Sequence, residues 1–309
     1  MPQTNNPFKP NSPVNPYMFA GREAEIDIIE ACLSSTKEGN PKNLLLIGER
    51  GIGKTSVLLL ADYLAKGEIT VTDGKRLDYL TVYVSLDKRT GVVELSRRLM
   101  RSIERELRRS QELLQLLRDV WNFVKRIELK GFKVADKKEQ LSESEIFDSL
   151  IYSLVDTAKL LKERGIANPG TSKSGIIILI DEADRAADEL DLGALLKQLT
   201  EQLLFEGCNI ISIIVSGLPE TVLNLRKSHE SSLRVFDQIN LAPLTYKDCK
   251  KVIELALEHA NRTNPTLVKI TDSALNSIIS FSEGCKYSVN PSFFPLGESQ
   301  IPLDTSPPI

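Results

Sequence analysis

Lys54 and Thr55 close the run Gly48-Glu49-Arg50-Gly51-Ile52-Gly53-Lys54-Thr55, which fits the pattern Gly-x-x-x-x-Gly-Lys-Ser/Thr at every fixed position. That pattern marks a phosphate-binding loop. Its glycines let the backbone curl so that successive N–H groups, from Gly48 through Ser56, point inward at phosphate oxygens. The helix that follows, through Val57-Leu58-Leu59-Leu60, adds its positive N-terminal end. Lys54 then reaches the β- and γ-phosphates, and the Thr55 hydroxyl ligates Mg²⁺. The competing reading is a chance glycine-rich turn. The apolar run Asn43 to Ile47 before the loop and the helical pattern after it argue against that.

A second signal is independent of the first. Gly175 introduces Ile176-Ile177-Ile178-Leu179-Ile180, a continuous apolar run expected of a strand buried on both faces, and it ends in Asp181-Glu182. Carboxylates at the C-terminal end of a parallel strand sit where ligands bind in open α/β sheets. Asp181 is placed to hold Mg²⁺, directly or through water. Glu182, pointing differently, can polarise an attacking water as general base. For Glu182 alone, an acidic helix start is the plainer alternative. A third apolar run, Ile210 to Val215, ends in Ser216-Gly217. In phosphate-loop ATPases with an acid pair, such an extra strand lies between the acidic strand and the loop strand. A polar residue at its tip, here Ser216, can sense the γ-phosphate. Equally open is a hydroxyl that caps the next helix, whose start is marked by Pro219 and Glu220.

The elements that position these residues must come from 309 residues at 34.4 kDa, enough to bury a sizeable core. With 41% hydrophobic and 26% charged residues, the chain is neither a disordered polyelectrolyte nor a fibre. No apolar run approaches the roughly 20 residues of a membrane helix. Five of the fifteen prolines fall in the first sixteen residues and five in the last nineteen, so both ends read as extended or irregular around a regular body at 17–284. The start lacks a basic segment followed by an apolar one, so a cytoplasmic address is expected. Four scattered cysteines and two histidines give neither a disulfide framework nor a zinc site. The net charge of −3 argues against a polycationic coat for nucleic acid. It hides two segments: Arg97 to Lys133 has eleven basic against five acidic residues, and Asp181 to Glu206 has eight acidic against two basic. Arginines interleaved with Glu104, Glu106 and Glu112 favour a solvated, ion-paired helix face over a nucleic-acid surface. Trp121 and Phe123 read as packing residues.

Phe19-Ala20-Gly21-Arg22-Glu23 opens an amphipathic helix ahead of the phosphate loop. Together with the loop and the apolar strand ending in Asp-Glu, it resembles origin-recognition-complex-like AAA+ ATPases and their signalling relatives, the STAND ATPases. The stretch from Pro7-Phe8 to Pro16 is similar to the leader of the bacterial branch of that group. In such proteins this region folds over the adenine, which makes Phe19 and Arg22 candidate base-pocket residues. Ser231 to Phe236, followed by Ile239 to Leu244, resembles the family's approach to its last core strand. By that match Arg234 is the candidate arginine finger toward a neighbouring subunit's nucleotide, with Arg226 as the nearest substitute. The plain alternative is a solvated helix-end arginine.

The resemblance implies an α/β P-loop NTPase fold of the AAA+ kind. This is a three-layer sandwich with parallel sheet order 5-1-4-3-2 and a partial helical lid. The expected strands are Asn43 to Ile47, Tyr79 to Ser85, Ile176 to Ile180, Ile210 to Val215 and Gln238 to Leu241. Residues 1–16 form the leader, and 17–244 the nucleotide-binding core with an insertion at about 88–175. Residues 245–284 form the partial lid, and 285–309 an irregular tail. In the insertion, Leu95 to Val120 reads as one long helix, and Arg126 to Val134 alternates polar and apolar residues. After Gly284 the family's further lid helices and effector domain have no counterpart, which suggests a truncation or frame shift near Cys285.

The function implied is an ATP-binding, Mg²⁺-dependent ATPase that works as a conformational switch, with Lys54, Glu182, Ser216 and Arg234 as its catalytic group. ATP and ADP are the ligands, and Arg234 suggests a homo-oligomer or partner ATPase. Two alternatives stay open. One is a nucleotide-loaded STAND-type module with slow or no hydrolysis. The other is an ATP-dependent DNA-loading or transposition-type ATPase, which net charge does not favour. P-loop kinases fit less well, because the acid pair and extra strand suit water attack.

Overall fold

The computed structural model describes residues 19–108, 111–124, 142–167, 173–263 and 267–282. The leader, the alternating stretch at 126–134 and the tail beyond 282 lie outside these residues. Two compact units emerge: one takes the described parts of Met1–Asp27, Gly48–Leu60 and Asn240–Ile309, the other Ile28–Ile47 and Ala61–Ile239.

The larger unit is built on a parallel sheet. Strands β1 (Leu44–Ile47), β2 (Leu80–Ser85), β3 (Ile176–Asp181), β4 (Ile211–Gly217) and β5 (Asp237–Asn240) lie in the order β2-β3-β4-β1-β5. This is the expected order 5-1-4-3-2 read from the other edge, and every strand falls within two residues of its expected bounds. All residues of β1, β3 and β4 are buried. A strand with no exposed face requires cover on both sides, hence helical layers flanking the sheet. The register brings the C-terminal ends into line: Ser85 stands opposite Asp181, Ile180 opposite Val215, and Ile47 opposite Gly217.

The helices up to Ser228 follow from their apolar stripes, with Glu23–Asp27 and Lys54–Leu60 falling in the smaller unit. Helix α1 spans Glu23–Lys37, α2 Lys54–Lys66, α3 Val92–Glu106, α4 Gln111–Val120 and α5 Glu143–Ala167. Farther along come α6 (Leu192–Phe205) and α7 (Glu220–Ser228). The single helix expected over Leu95 to Val120 is a correction: it is two helices, and Leu107 already departs from helical geometry at φ −97° and ψ 8°. The cause is in the pattern. Leu95, Leu99 and Ile103 line one buried stripe, but the exposed Arg108 interrupts it. A break lets Leu114, Leu117 and Trp121 return to the same core. Trp121 is 1% exposed and donates its indole N–H to Thr157 Oγ1 at 3.0 Å, a packing role as expected. The surface arginines pair locally, Arg97 and Arg98 with Glu94 and Arg118 with Glu104.

Helix α5 was not foreseen. Its start is a capping box: the Ser142 N–H donates to Glu145 Oε2 at 2.7 Å, and the Glu145 N–H donates back to Ser142 Oγ at 3.2 Å. Ile146, Leu150, Leu154, Ala158 and Leu161 then form its buried face.

In the smaller unit, α8 (Tyr246–Thr263) and α9 (Asp272–Ser282) enclose a compact core of Cys249, Ile253, Leu275, Ile278 and Ile279. Thr245 and Asp248 form the box that opens α8. No helix among the described residues is long and apolar enough to cross a membrane.

Candidate functional site

In the smaller unit the run Gly48–Thr55 forms a tight loop between the last residue of β1 and the first turn of α2. Gly51 and Gly53 take φ of 84° and 105°, a region that side-chain-bearing residues seldom adopt, and this reverses the chain within four residues. A Cβ on Gly48 would stand 2.8 Å from Ile52 Cγ2 and 3.1 Å from Leu241 Cβ, so the entry to the loop has no room for a side chain. The Lys54 ammonium donates to the carbonyls of Gly48 at 2.6 Å and Glu49 at 2.9 Å, which puts its charge inside the curve. Because α2 starts at Lys54, Thr55 and Ser56 occupy the first helical turn, at the positive end of the helix dipole. A glycine cradle, a central ammonium and a helix N-terminus together suit a polyphosphate.

Arg22 braces this loop from outside. It is 5% exposed, its guanidinium donates to the Ile52 carbonyl at 3.2 Å, and it pairs with Glu25 Oε1 at 3.0 Å. Phe19 is half-buried just before it.

The carboxylates belong to the larger unit. Asp181, 3% exposed, is the last residue of β3 and its side chain is fully engaged. Oδ2 accepts the Tyr83 hydroxyl at 2.8 Å, while Oδ1 accepts the Glu182 N–H at 2.9 Å and the Ser216 hydroxyl. Burial, reinforced by the Asp181 charge, pushes the Tyr83 phenol far above its usual range, so it remains a donor. The Ser216 hydroxyl is therefore turned to Asp181 and not to the next helix. Pro219, at the cap position of α7, makes no side-chain cap.

Glu182 leaves the strand with φ 56° and ψ 41°, a left-handed conformation. For a residue with a Cβ this costs about 1–3 kcal/mol and persists only where its surroundings enforce it. The turn sends the Glu182 side chain away from that of Asp181. Its Oε2 accepts the Ser85 hydroxyl at 3.0 Å, and its Oε1 pairs with Arg185 at 3.0 Å. Arg234 is exposed on the short 3-10 turn Ser232–Val235.

The structure thus joins Asp181 to Ser216 and Arg22 to the loop. It adds Tyr83, Ser85 and Arg185, which sequence reasoning missed. A signal existed for two of them: Thr81, Tyr83 and Ser85 alternate with the apolar residues of β2, and Tyr83 and Ser85 stand at its C-terminal end.

A phosphate loop leading from a parallel strand, with an acid pair ending another, defines a P-loop nucleotide-binding fold. Residues 18–213 match the AAA ATPase domain family, and the chain belongs to that family. A search among curated proteins finds no match. Among solved structures, Cdc6p from Pyrobaculum aerophilum is similar over 88% of this chain and 60% of its own, at 16% identity and a TM-score of 0.53. ORC1 of Aeropyrum pernix, solved in complex with DNA, is 20% identical over 88% of this chain and 58% of its own, with a TM-score of 0.48. Domain III of the Thermotoga maritima replication initiation protein DnaA is 15% identical over 95% and 88%, with a TM-score of 0.45. The chain spans about three-fifths of the Cdc6p structure, and that likeness is one of fold.

Proposed function

We propose that the chain binds ATP with Mg²⁺, hydrolyses it to ADP and phosphate, and uses the cycle as a conformational switch. The observation that carries this reading is the loop itself, with the Lys54 ammonium held within 3 Å of the loop carbonyls and α2 beginning at that residue. Loop N–H groups from Gly48 to Ser56 bind the phosphates, and Lys54 turns from its carbonyl partners to the β- and γ-oxygens. Thr55 Oγ1 and the Asp181 carboxylate are hard oxygen donors suited to Mg²⁺, which when bound neutralises charge on those oxygens. Tyr83 and Ser216 fix the rotamer of Asp181. Glu182 takes a proton from water as the water oxygen attacks the γ-phosphorus in line, and the β-γ bridging oxygen leaves with ADP. Arg234, exposed on its turn, is the group offered to a neighbouring copy's γ-phosphate.

We assign the core to residues 17–244 and the partial lid to 245–284, with α8 and α9 answering to nucleotide. One observation favours the slow-hydrolysing, STAND-type reading: both oxygens of Glu182 already have partners, Ser85 and Arg185.

The test is calorimetric titration of ATP into wild type, Lys54→Ala and Asp181→Asn with and without Mg²⁺. Loss of binding in Lys54→Ala, and loss of only the Mg²⁺-dependent gain in Asp181→Asn, support the reading. ATP binding by Lys54→Ala at wild-type affinity contradicts it. Turnover measured with and without DNA across protein concentration then separates switch, scaffold and DNA-loading roles.

A further inference from the structure

Among the described residues strand β2 is an edge of the sheet, and its outer row of backbone groups faces no other described strand. Helix α3 fills that gap with two residues one turn apart. Ser102 Oγ accepts the Tyr83 N–H at 3.0 Å, and the Arg98 guanidinium donates to the Ser85 carbonyl at 2.6 Å. These two strand residues are the ones whose hydroxyls hold the acid pair, Tyr83 on Asp181 and Ser85 on Glu182. Two parallel lines of contact therefore cross the strand, Ser102–Tyr83–Asp181 and Arg98–Ser85–Glu182.

Arg98 is the more consequential anchor, because it uses its whole fork. Besides the Ser85 carbonyl it donates to Asp87 Oδ2 at 2.8 Å and to Glu94 Oε1 at 3.0 Å, tying the end of β2, the following turn and the first turns of α3. The Arg98 hydrogen bond draws the Asp87 carboxyl down to about 2, so the contact is ionic at any physiological pH. Across the strand, the Leu86 N–H donates to the Asp181 carbonyl at 2.9 Å, which locks that same turn to the residue preceding Glu182. A guanidinium that ties the end of β2 and the turn after it to a helix is a positioning device for whatever that turn holds.

We propose that Arg98 is a positioning residue for the hydrolytic base: it fixes Ser85, and through the Ser85 hydroxyl it fixes the carboxylate of Glu182. Helix α3 is then a coupling element, so that a partner bearing on α3 changes turnover without touching nucleotide. This rests on the reading of Glu182 as base.

The experiment compares Arg98→Ala, Arg98→Lys, Ser85→Ala and the Arg98→Ala/Ser85→Ala double variant. Between about tenfold and a hundredfold loss in kcat is expected for Arg98→Ala, the scale for small misplacement of a reacting group, with KM for ATP unchanged. Arg98→Lys, which can still reach the Ser85 carbonyl, recovers part of the loss. The double variant is no slower than Ser85→Ala alone. A merely structural role predicts losses that multiply, together with weaker ATP binding, and either result overturns the proposal, as does a kcat that stays the same or rises. Hydrogen exchange supplies a readout independent of hydrolysis. Arg98→Ala should speed exchange at the Leu86 and Arg185 amides, and should add nothing at Arg185 once Ser85 is alanine. If wild type releases no phosphate, the ATPase reading fails while exchange still decides the Arg98 link. Unchanged exchange at Arg185 sinks that link.

Discussion

The Ser216 hydroxyl donates to Asp181 Oδ1, across the junction of two fully buried strands. The contact exists because Ile180 stands opposite Val215, which sets the next residue on each strand side by side. The Glu182 N–H also donates to that oxygen, at 2.9 Å. Ser216→Ala should therefore cost about 1–3 kcal/mol, the scale for depriving a buried charged acceptor of a partner. Urea unfolding reads that loss. A Mg²⁺ titration of ATP binding should also show weakened metal dependence, because the Asp181 carboxylate gains freedom to rotate. Full stability and an unchanged Mg²⁺ dependence count against the role given to Ser216.

Arg22 makes a different kind of support. It binds the Ile52 carbonyl in the middle of the phosphate loop and is itself held by Glu25. Removing it leaves the loop intact in sequence but without its outer brace. Arg22→Ala should weaken ATP binding by roughly tenfold, the equivalent of about 1.4 kcal/mol. Arg22→Lys should recover little, since it lacks the guanidinium fork. If both variants bind ATP like wild type, Arg22 does not act through the loop.

Tyr79 gives the pH dependence of the larger unit. Its hydroxyl donates to the Leu33 carbonyl at 2.6 Å, and burial pushes the phenol well above its usual value. A raised folded value means that the neutral form is the one the fold retains. The contribution is thus fully present below the unfolded value, about 10, and is lost as pH rises beyond it, because the unfolded chain releases its proton first. Tyr79→Phe should be less stable at pH 8 by about 1 kcal/mol from the lost hydrogen bond. The gap should narrow above pH 10, as measured by urea midpoints. A constant gap from pH 8 to pH 11 contradicts the assignment.

The bounds of the strands were legible because each central strand is a mainly apolar run closed by a glycine or an acid, a pattern that burial on both faces produces, whereas the order of the sheet came from the resemblance to AAA+ ATPases. The phosphate loop and the acid pair were legible for the same reason. Their chemistry needs fixed residue types next to one another in sequence. What the sequence did not disclose is pairing between distant segments. Tyr83 with Asp181, Ser85 with Glu182 and Arg98 with Ser85 are set by strand register and by the covering of an edge. The break after Leu107 escaped notice because charged residues made α3 and α4 look continuous, although the apolar stripe fails at Arg108.

Glu182 combines a left-handed backbone, a hydroxyl partner and an ion pair at the end of β3. Such strain is retained where function requires the side chain's direction. Phosphate release and ATP affinity measured side by side in Glu182→Gln test this most directly. The isosteric amide keeps shape but cannot accept a proton. Phosphate release should fall by about a hundredfold or more while ATP affinity stays within about twofold of wild type. Phosphate release at the wild-type rate would show that Glu182 is not the base.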